Sequence, residues 1–388
     1  MKVTFFSNFL NHHQLPFCFE MYKVLGDDFK FVATEPIHEE RLEMGYEDMS
    51  ELYPFSLNSY TSQENFLSGV RLGDESDVVI IGSAPDLFIH KRLKGDKLTF
   101  RYSERVFKKG KWRILNPRTA LSLIKKHTLT KNKKVYMLCA SAYTAADLNL
   151  VRAYKNKAYK WGYFPEVKEH NIDDLFIKKK NNIIPKLLWV GRLINWKHPE
   201  QALKVAYKLK KEGHHFTLDI IGVGILEKKV KEMIGALQLG DIVNLYGSMS
   251  PEHIREHMES ANIFLFTSDF NEGWGAVLNE SMNSGCAVVA SHAIGSVPYL
   301  LKNNENGLIY ENGNEKNLFE SVKKLLVTTE FREKLGKNAH RTLVNEWNAK
   351  EAAERLLLLS EKLISREPFF FEEGPCSKSG VLSQKYRY

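Results

Sequence analysis

Cysteine is scarce: four residues in 388, at Cys18, Cys139, Cys286 and Cys376. None stands at the paired spacing of a zinc site, and thiols so widely scattered make no disulfide framework. Cys18, Cys139 and Cys286 fall in apolar segments, where a buried reduced thiol is the default, so a reducing compartment is expected. Long apolar runs are missing as well. No stretch reaches the eighteen or so residues a membrane span needs, and the opening run from Lys2 to Ser7 meets polar Asn8 and the pair His12-His13 too soon for a signal peptide. The expectation is a cytoplasmic chain, soluble or peripheral on the inner face of the membrane. Zinc-finger spacing, an RNA-recognition signature and a basic zipper are absent too, so nucleic acid is not an expected partner.

What is present suits two α/β cores. The length exceeds what one hydrophobic core usually supports, and 43% apolar content is enough for two. In the first half, strands are predicted at 2–7, 29–33, 77–82, 97–101 and 134–139, with helical stretches between them, which is the pattern of a doubly wound parallel sheet. A polar, basic stretch at 166–182 is expected to be the interdomain linker. A first domain at 1–168, a second at 169–348 and a C-terminal segment at 349–388 follow. That segment opens on a strongly amphipathic helix over 347–364. Its tail holds Phe369 to Phe371, which either pack on the first domain or touch lipid, and its last part lacks periodicity.

Between residues 261 and 290 the chain reads strand, glycine loop, helix, strand: an apolar run at 261–268, the turn Glu272-Gly-Trp-Gly-Ala, an amphipathic stretch to Gly285, then an apolar run from Cys286. Glu272 is thereby placed on a loop at the C-terminal edge of a parallel sheet, where open α/β folds bind ligands, and Glu280 about two turns into the helix. Amides near Trp274, Gly275 and Ala276 at the helix start suit phosphate or sugar oxygens. A carboxylate accepts hydrogen bonds from adjacent hydroxyls, so two acids around such a turn read as a nucleotide-sugar cradle. The plainer reading is a solvated glutamate and an ordinary helix cap.

A second corner lies upstream. An apolar strand from Lys186 ends in Gly191-Arg192, a loop carries Lys197 and His198, and Pro199 opens a helix. Two cations where a strand meets its crossover helix can hold a diphosphate, Arg as a bidentate fork and Lys as a mobile point charge. Gly222 and Gly224 follow another apolar strand, either to let a ligand approach or only to end the strand; for Gly222 the structural reading is favoured.

Taken in order, these segments resemble the retaining nucleotide-sugar glycosyltransferases of family 4, glycosyl transferases group 1, which have the GT-B fold. The resemblance covers roughly 186–326 and rests on Gly191-Arg192-Leu with Lys197, the strand ending at Gly222, Val243 to Gly247, Glu272-Gly-Trp-Gly with Glu280, Gly285-Cys, Gly295-Ser-Val-Pro298 and Asn306-Gly307. It implies two Rossmann-like doubly wound domains facing a cleft, with the C-terminal helix crossing back to the first. It implies catalytic roles for Arg192, Lys197 and Glu272, the two cations on the donor's diphosphate and the acid on the transferred sugar. Donor binding would involve Gly191, Met249, Gly273, Trp274, Gly275, Ala276, Val277 and Glu280, with Glu280 on the ribose hydroxyls and the base near Gly247 to Met249. No Asp-x-Asp cluster stands near these residues, so neither a metal nor another cofactor is expected.

The chain departs from the family at the first loop, where a glycine pair is usual and Asn11, His12 and His13 stand instead. These are either acceptor-side hydrogen-bonding groups or a helix-start cap with surface histidines. Glu104 follows a predicted strand and either lines the acceptor side or forms an exposed ion pair with Arg105. Tyr299 replaces an acid common in the family.

Charge is uneven. From Lys91 to Lys134 there are sixteen Lys and Arg against two acids, in a chain whose net charge is only +8. Basic residues interleave there with Trp112 and aliphatic residues, as on surfaces that rest on anionic lipid; a solvated, solubilising face is the plainer reading. The function expected is a retaining hexosyltransferase. It would move a hexose or N-acetylhexosamine from a nucleoside diphosphate sugar, UDP-sugars favoured, to a glycan acceptor, lipid-linked, in cell-surface polysaccharide biosynthesis. Its alternatives are a GT-B enzyme acting on a soluble sugar or metabolite, and a non-catalytic nucleotide-sugar binding protein.

Overall fold

The protein is described by a computed structural model covering residues 1–38, 49 and 52–388. Thirteen strands form among these residues, most of them short runs rich in Val, Ile, Leu and Phe. They divide between two units. Met1–Glu166 with Asn348–Ser383 make the first, and Val167–Trp347 with Gln384–Tyr388 the second. The residues from 349 onward, expected to lie with the first domain to their end, therefore divide at Ser383.

In the first unit seven strands, β1 (Val3–Ser7), β2 (Phe29–Ala33), β3 (Ser56–Asn58), β4 (Val78–Ile81), β5 (Leu98–Ser103), β6 (Val135–Cys139) and β7 (Ala158–Lys160), form one sheet in the order β3-β2-β1-β4-β5-β6-β7. Every pairing is parallel. A parallel sheet covered on both faces needs strands that are apolar throughout, and β4 is buried at all four positions. The strands not anticipated, β3 and β7, are three residues each, too short to show a period. Helix Ala349–Ser365, capped by the Asn348 side chain on the Glu351 amide, packs against helix Leu15–Leu25. Beyond it the Arg355 guanidinium lies 4.8 Å over the Phe371 ring, so Phe371 packs on that helix, while Phe370 is exposed. The chain then runs antiparallel beside β7, with Cys376 N donating to Lys160 O (2.8 Å), Lys160 N to Ser377 O (2.7 Å) and Ser379 N to Ala158 O (3.0 Å). An edge strand is thereby covered.

In the second unit six strands, β8 (Lys186–Val190), β9 (Thr217–Ile221), β10 (Val243–Gly247), β11 (Ile263–Phe266), β12 (Ala287–Ser291) and β13 (Leu308–Tyr310), pair in parallel in the order β10-β9-β8-β11-β12-β13. Leu187, Trp189, Ile220, Leu265 and Val289 fill its core. The stretch expected as linker is a helix, Ile172–Lys180. Asn171 caps it, acids occupy its first turn and lysines its last, which complements the helix dipole, while Leu175 and Phe176 are buried. Its high charge disguised a three-turn element whose apolar face is only two residues wide. The last five residues belong here: the Tyr386 hydroxyl donates to Ile309 O (2.9 Å) and its ring meets His292 edge-on.

Strand order reverses between β1 and β4 in the first sheet and between β8 and β11 in the second. Neighbouring loops leave the sheet in opposite directions at such a point and open a crevice outside the carboxyl ends of the strands. Among the described residues no helix is long and apolar enough to cross a membrane.

Candidate functional site

The switch point of the second sheet gathers the residues singled out in the sequence. After β8 the chain passes Gly191 and Arg192, makes a single 3-10 turn at Asn195–Lys197 and reaches His198, which is left-handed (φ 49°) before helix Pro199–Lys211. After β11 it makes a loop through Asp269 and Glu272 to helix Val277–Asn283. The two loops are tied together. Trp189 Nε1 donates to the Thr267 hydroxyl (2.9 Å), which itself lies 2.7 Å from Lys197 O and 3.0 Å from His198 O, and Asp269 N donates to Trp196 O (2.9 Å).

Held so, the Lys197 ammonium forms an ion pair with Glu272, each side chain only 13% exposed, and also lies 5.6 Å from the centre of the Phe266 ring. The expected diphosphate lysine and the expected sugar carboxylate thus touch, although 75 residues separate them. Arg192 is exposed, its guanidinium 5.7 Å over the Trp196 ring, with no acid within ion-pairing distance among the described residues. That contact with the ring leaves the donors of the fork to solvent.

Three glycines make this geometry possible. Gly275 sits at φ 83°, and a Cβ there would stand 2.4 Å from Phe266 Cζ, so the turn after Glu272 closes onto β11 only without a side chain. At Gly222 (φ 138°) a Cβ would be 1.9 Å from Gly191 O, and at Gly224 2.5 Å from Leu193 O. The latter two serve the approach of β9 to the Gly191–Leu193 backbone, which is the structural reading.

Glu280 is the fourth residue of its helix, in the first turn rather than two turns in, because the helix begins only at Val277. Burial pushes its carboxyl above the ordinary value, and the Arg255 charge pulls it back in part. Ala276 is the N-cap residue, and the Gly275 and Ala276 carbonyls accept from Leu278 N and Glu280 N. Trp274 contributes no side chain here. Its indole is fully buried, donates to Asn279 Oδ1 (3.0 Å) and packs against Tyr299 and Trp347, so only its main chain, like that of buried Gly273, lies at the loop. Tyr299 stacks on Trp347, 5.9 Å between centroids, which accounts for an aromatic residue at that position. Met249, partly exposed, follows β10 between Gly247 (φ 74°) and Ser250, the cap of helix Pro251–Ser260.

Sequence reasoning missed His198 and Asp269. The imidazole bridges Glu200 (2.9 Å) and Asp269 (3.3 Å), and hydrogen bonds to Asp269 and then Glu200 raise its pKa to about 9. Burial pushes the Asp269 carboxyl up, but bonds from His198 and Asn271 more than offset this and leave it lowered. A charged His198 therefore clamps the cationic corner to the acidic loop at neutral pH. The sole signal available was the turn-forming Asp269-Phe-Asn271, in which Asp269 Oδ1 accepts from Asn271 N (2.8 Å).

At the corresponding edge of the first sheet Asn11 caps a turn, its Oδ1 accepting from His13 N (3.0 Å) and Gln14 N (3.2 Å). The rings of His12 and His13 lie 3.7 Å apart, and His13 stacks on Tyr163 at 5.7 Å and 3°. The Tyr163 hydroxyl donates to Glu104 Oε1 (2.7 Å), whose other oxygen pairs with Lys108. His13 and Glu104 are thus joined through a residue that pattern reading did not single out. Arg105 pairs not with Glu104 but with buried Asp147 (3.2 Å). Among the described residues no three His, Cys, Asp or Glu side chains converge to hold a metal ion.

Residues 168–342, nearly the whole second unit, match the family described as glycosyl transferases group 1. The fold of the chain is GT-B: it superposes on Anabaena Alr3699/HepE, solved in complex with UDP, with a TM-score of 0.68 at 14% identity over 93% of this chain and all of that one. Sucrose-phosphate synthase from Thermosynechococcus elongatus gives 0.64, also at 14%, over 94% and 100%. Among curated proteins, the amylovoran biosynthesis glycosyltransferase AmsK of Erwinia amylovora is 33% identical over 34% of each chain. A diphospho-undecaprenol 4-alpha-N-acetylgalactosaminyltransferase of Campylobacter jejuni is 30% identical over 48% of this chain and 49% of its own. The matches span a third to a half of these relatives. The matched region includes every residue from Gly191 to Glu280 discussed above.

Proposed function

We propose that the protein is a retaining glycosyltransferase of the family 4 type, moving a hexose or N-acetylhexosamine from a nucleoside diphosphate sugar to a hydroxyl of a glycan acceptor. The observation that carries this is the meeting of Lys197 with Glu272 at the switch point, beside a guanidinium presented to solvent at Arg192. A diphosphate entering there replaces Glu272 as the partner of Lys197 and takes the Arg192 fork, so charge developing on the leaving group meets cations already in place. Glu272, released, accepts from sugar hydroxyls, and Glu280 accepts from the ribose. Neither carboxylate stands free of the donor as a base on the opposite face, which favours attack beside the departing diphosphate and retention. Cations rather than a bound metal neutralise the leaving group, and turnover should survive a chelator.

UDP-sugars are favoured as donors, in keeping with the UDP held by the Anabaena neighbour. The diphospho-undecaprenol in one relative's name supports a lipid-linked acceptor, and the amylovoran biosynthesis in another's supports a place in polysaccharide synthesis; the site of action proposed with them is the inner face of the membrane. Acceptor-side groups are Asn11, His12, His13 and Glu104. A thermal-shift panel of nucleoside diphosphates and their sugars tests the reading, since a ligand held by the folded state raises the melting point. Uridine diphosphate should give the largest shift, and Arg192→Ala and Glu280→Ala should each reduce it. No shift with any nucleoside diphosphate would overturn the proposal, and binding without transfer or hydrolysis would favour a non-catalytic binder.

A further inference from the structure

Residues 105–146 contain no Asp or Glu. Within them the chain folds as three short helical pieces, a 3-10 helix at Lys111–Leu115, an α-helix at Pro117–Leu123 and a π-helix at Ile124–Thr128. The segment carries two sets of apolar side chains. Ile114 and Leu123 turn inward onto the core beneath β6, and His127 is buried against the Tyr154 hydroxyl (2.8 Å). The second set lies in water: Trp112 is 69% exposed, Leu115 81%, Leu121 56% and Leu129 70%. Scattered exposed leucines need no explanation, but four large apolar groups more than half exposed within eighteen residues do.

Trp112 is the informative one. Its Nε1 donates to Lys109 O (3.2 Å), and its ring covers Gly110, which sits at φ 111° where a Cβ would strike the indole at 2.7 Å. The polar edge is satisfied and the ring is held in one pose, yet most of it faces solvent. In a 3-10 helix side chains three apart eclipse, so Leu115 stands on the same side as Trp112. Lys109, Arg113, Arg118 and Lys125 of the same segment are exposed, none paired with an acid among the described residues.

We propose that this surface of the first unit is a membrane wedge: Trp112, Leu115, Leu121 and Leu129 enter the headgroup region of a bilayer while the flanking cations hold anionic lipid. Charge selects the occupant. A second copy meeting it through the same face would bring another segment without acids and be repelled, and nucleic acid would meet the cations but leave three leucines in water. An anionic bilayer satisfies both sets, as it does for interfacial helices that pair basic with aromatic and aliphatic residues. The proposal extends the reading of a lipid-linked acceptor and rests on it for its purpose. The wedge would hold the first unit at the surface where such an acceptor lies.

The test is co-sedimentation of the full chain with phosphatidylcholine vesicles, with and without about one third phosphatidylglycerol, at low and high salt. Binding is expected to the anionic vesicles only. Trp112→Ser with Leu115→Ser should weaken it about tenfold or more, and Arg113→Glu with Lys125→Glu should abolish it at low salt. Both variants should keep the wild-type melting point and nucleoside diphosphate shift, because the changed side chains are exposed and in the other unit. Vesicle binding unaffected by the Trp112 and Leu115 changes overturns the wedge. So does wild-type protein that stays in the supernatant, or that prefers duplex nucleic acid to anionic vesicles. Intact vesicle binding with no nucleotide shift would instead support the wedge and sink the donor-site reading.

Discussion

Lys197 and Glu272 make opposite predictions for two ligands that differ only by a sugar. Each side chain is 13% exposed, and each is the other's ion-pair partner. At contact, an effective dielectric of about 20 gives an attraction of roughly 4 kcal/mol, most of which desolvation takes back, so a double-mutant cycle on stability should report a coupling of about 1–2 kcal/mol. Lys197→Met removes a charge-assisted contact to the diphosphate and should weaken UDP binding by about 2 kcal/mol, roughly thirtyfold in Kd. Glu272→Gln removes the internal competitor for the same ammonium and should leave UDP binding unchanged or tighter. Yet it should cut sugar transfer by about two orders of magnitude or more, because the carboxylate is assigned to the sugar. In the double variant UDP affinity should follow Lys197→Met. Titration calorimetry with UDP and UDP-sugars, urea unfolding of the four proteins and a transfer assay measure all three quantities. If Glu272→Gln weakens UDP as much as Lys197→Met does, or if the coupling falls below about 0.5 kcal/mol, the two corners do not act as one site.

Three further outcomes are expected. His198, raised to about 9 by Asp269 and Glu200, contributes stability that is complete below the ordinary imidazole value and lost as pH rises through about 9. With 29% of its side chain in water the contribution is on the order of 2 kcal/mol, so wild type should lose stability between pH 7 and 10 relative to His198→Gln, and parallel melting curves for the two would refute the clamp. Gly222→Ala puts a Cβ against the Gly191 carbonyl and should cost about 3 kcal/mol or more in urea unfolding. Gly213→Ala, at φ 79° with open space around it, is the control and should cost about 1 kcal/mol. Tyr163→Phe removes the hydroxyl that binds Glu104 while keeping the ring under His13. It should raise KM for the acceptor several-fold with donor binding unchanged, and an unaltered acceptor KM would remove that cluster from the acceptor side.

Much of the architecture was legible because parallel strands buried on both faces are written as unbroken apolar runs, and five of the seven strands of the first sheet stand where such runs lie. The elements that escaped did so for local reasons. The three-residue strands β3 and β7 carry no period, and helix Ile172–Lys180 hides its two buried apolar residues among seven others. At the candidate site, Arg192, Lys197 and Glu272 were visible as charged groups in loops after strands, and Glu280 as an acid in the helix that follows. His198 and Tyr163 were not, because a histidine before a proline and a tyrosine after a short strand look like any others until their partners are known.

The amino-acid order by itself determined which segments become strands and which loops end a parallel strand, since side-chain periodicity and glycine placement are local properties. Tertiary structure alone decided that the loops after β8 and β11 are neighbours, because strand order in a sheet depends on how crossover helices pack, and nothing within either segment records it. The pairing of Lys197 with Glu272 and the clamp at His198 both follow from that one adjacency. The outward pose of Trp112 has the same origin: composition marked the segment as basic and aromatic, but only packing on the core settled which apolar side chains it uses and which it leaves in water.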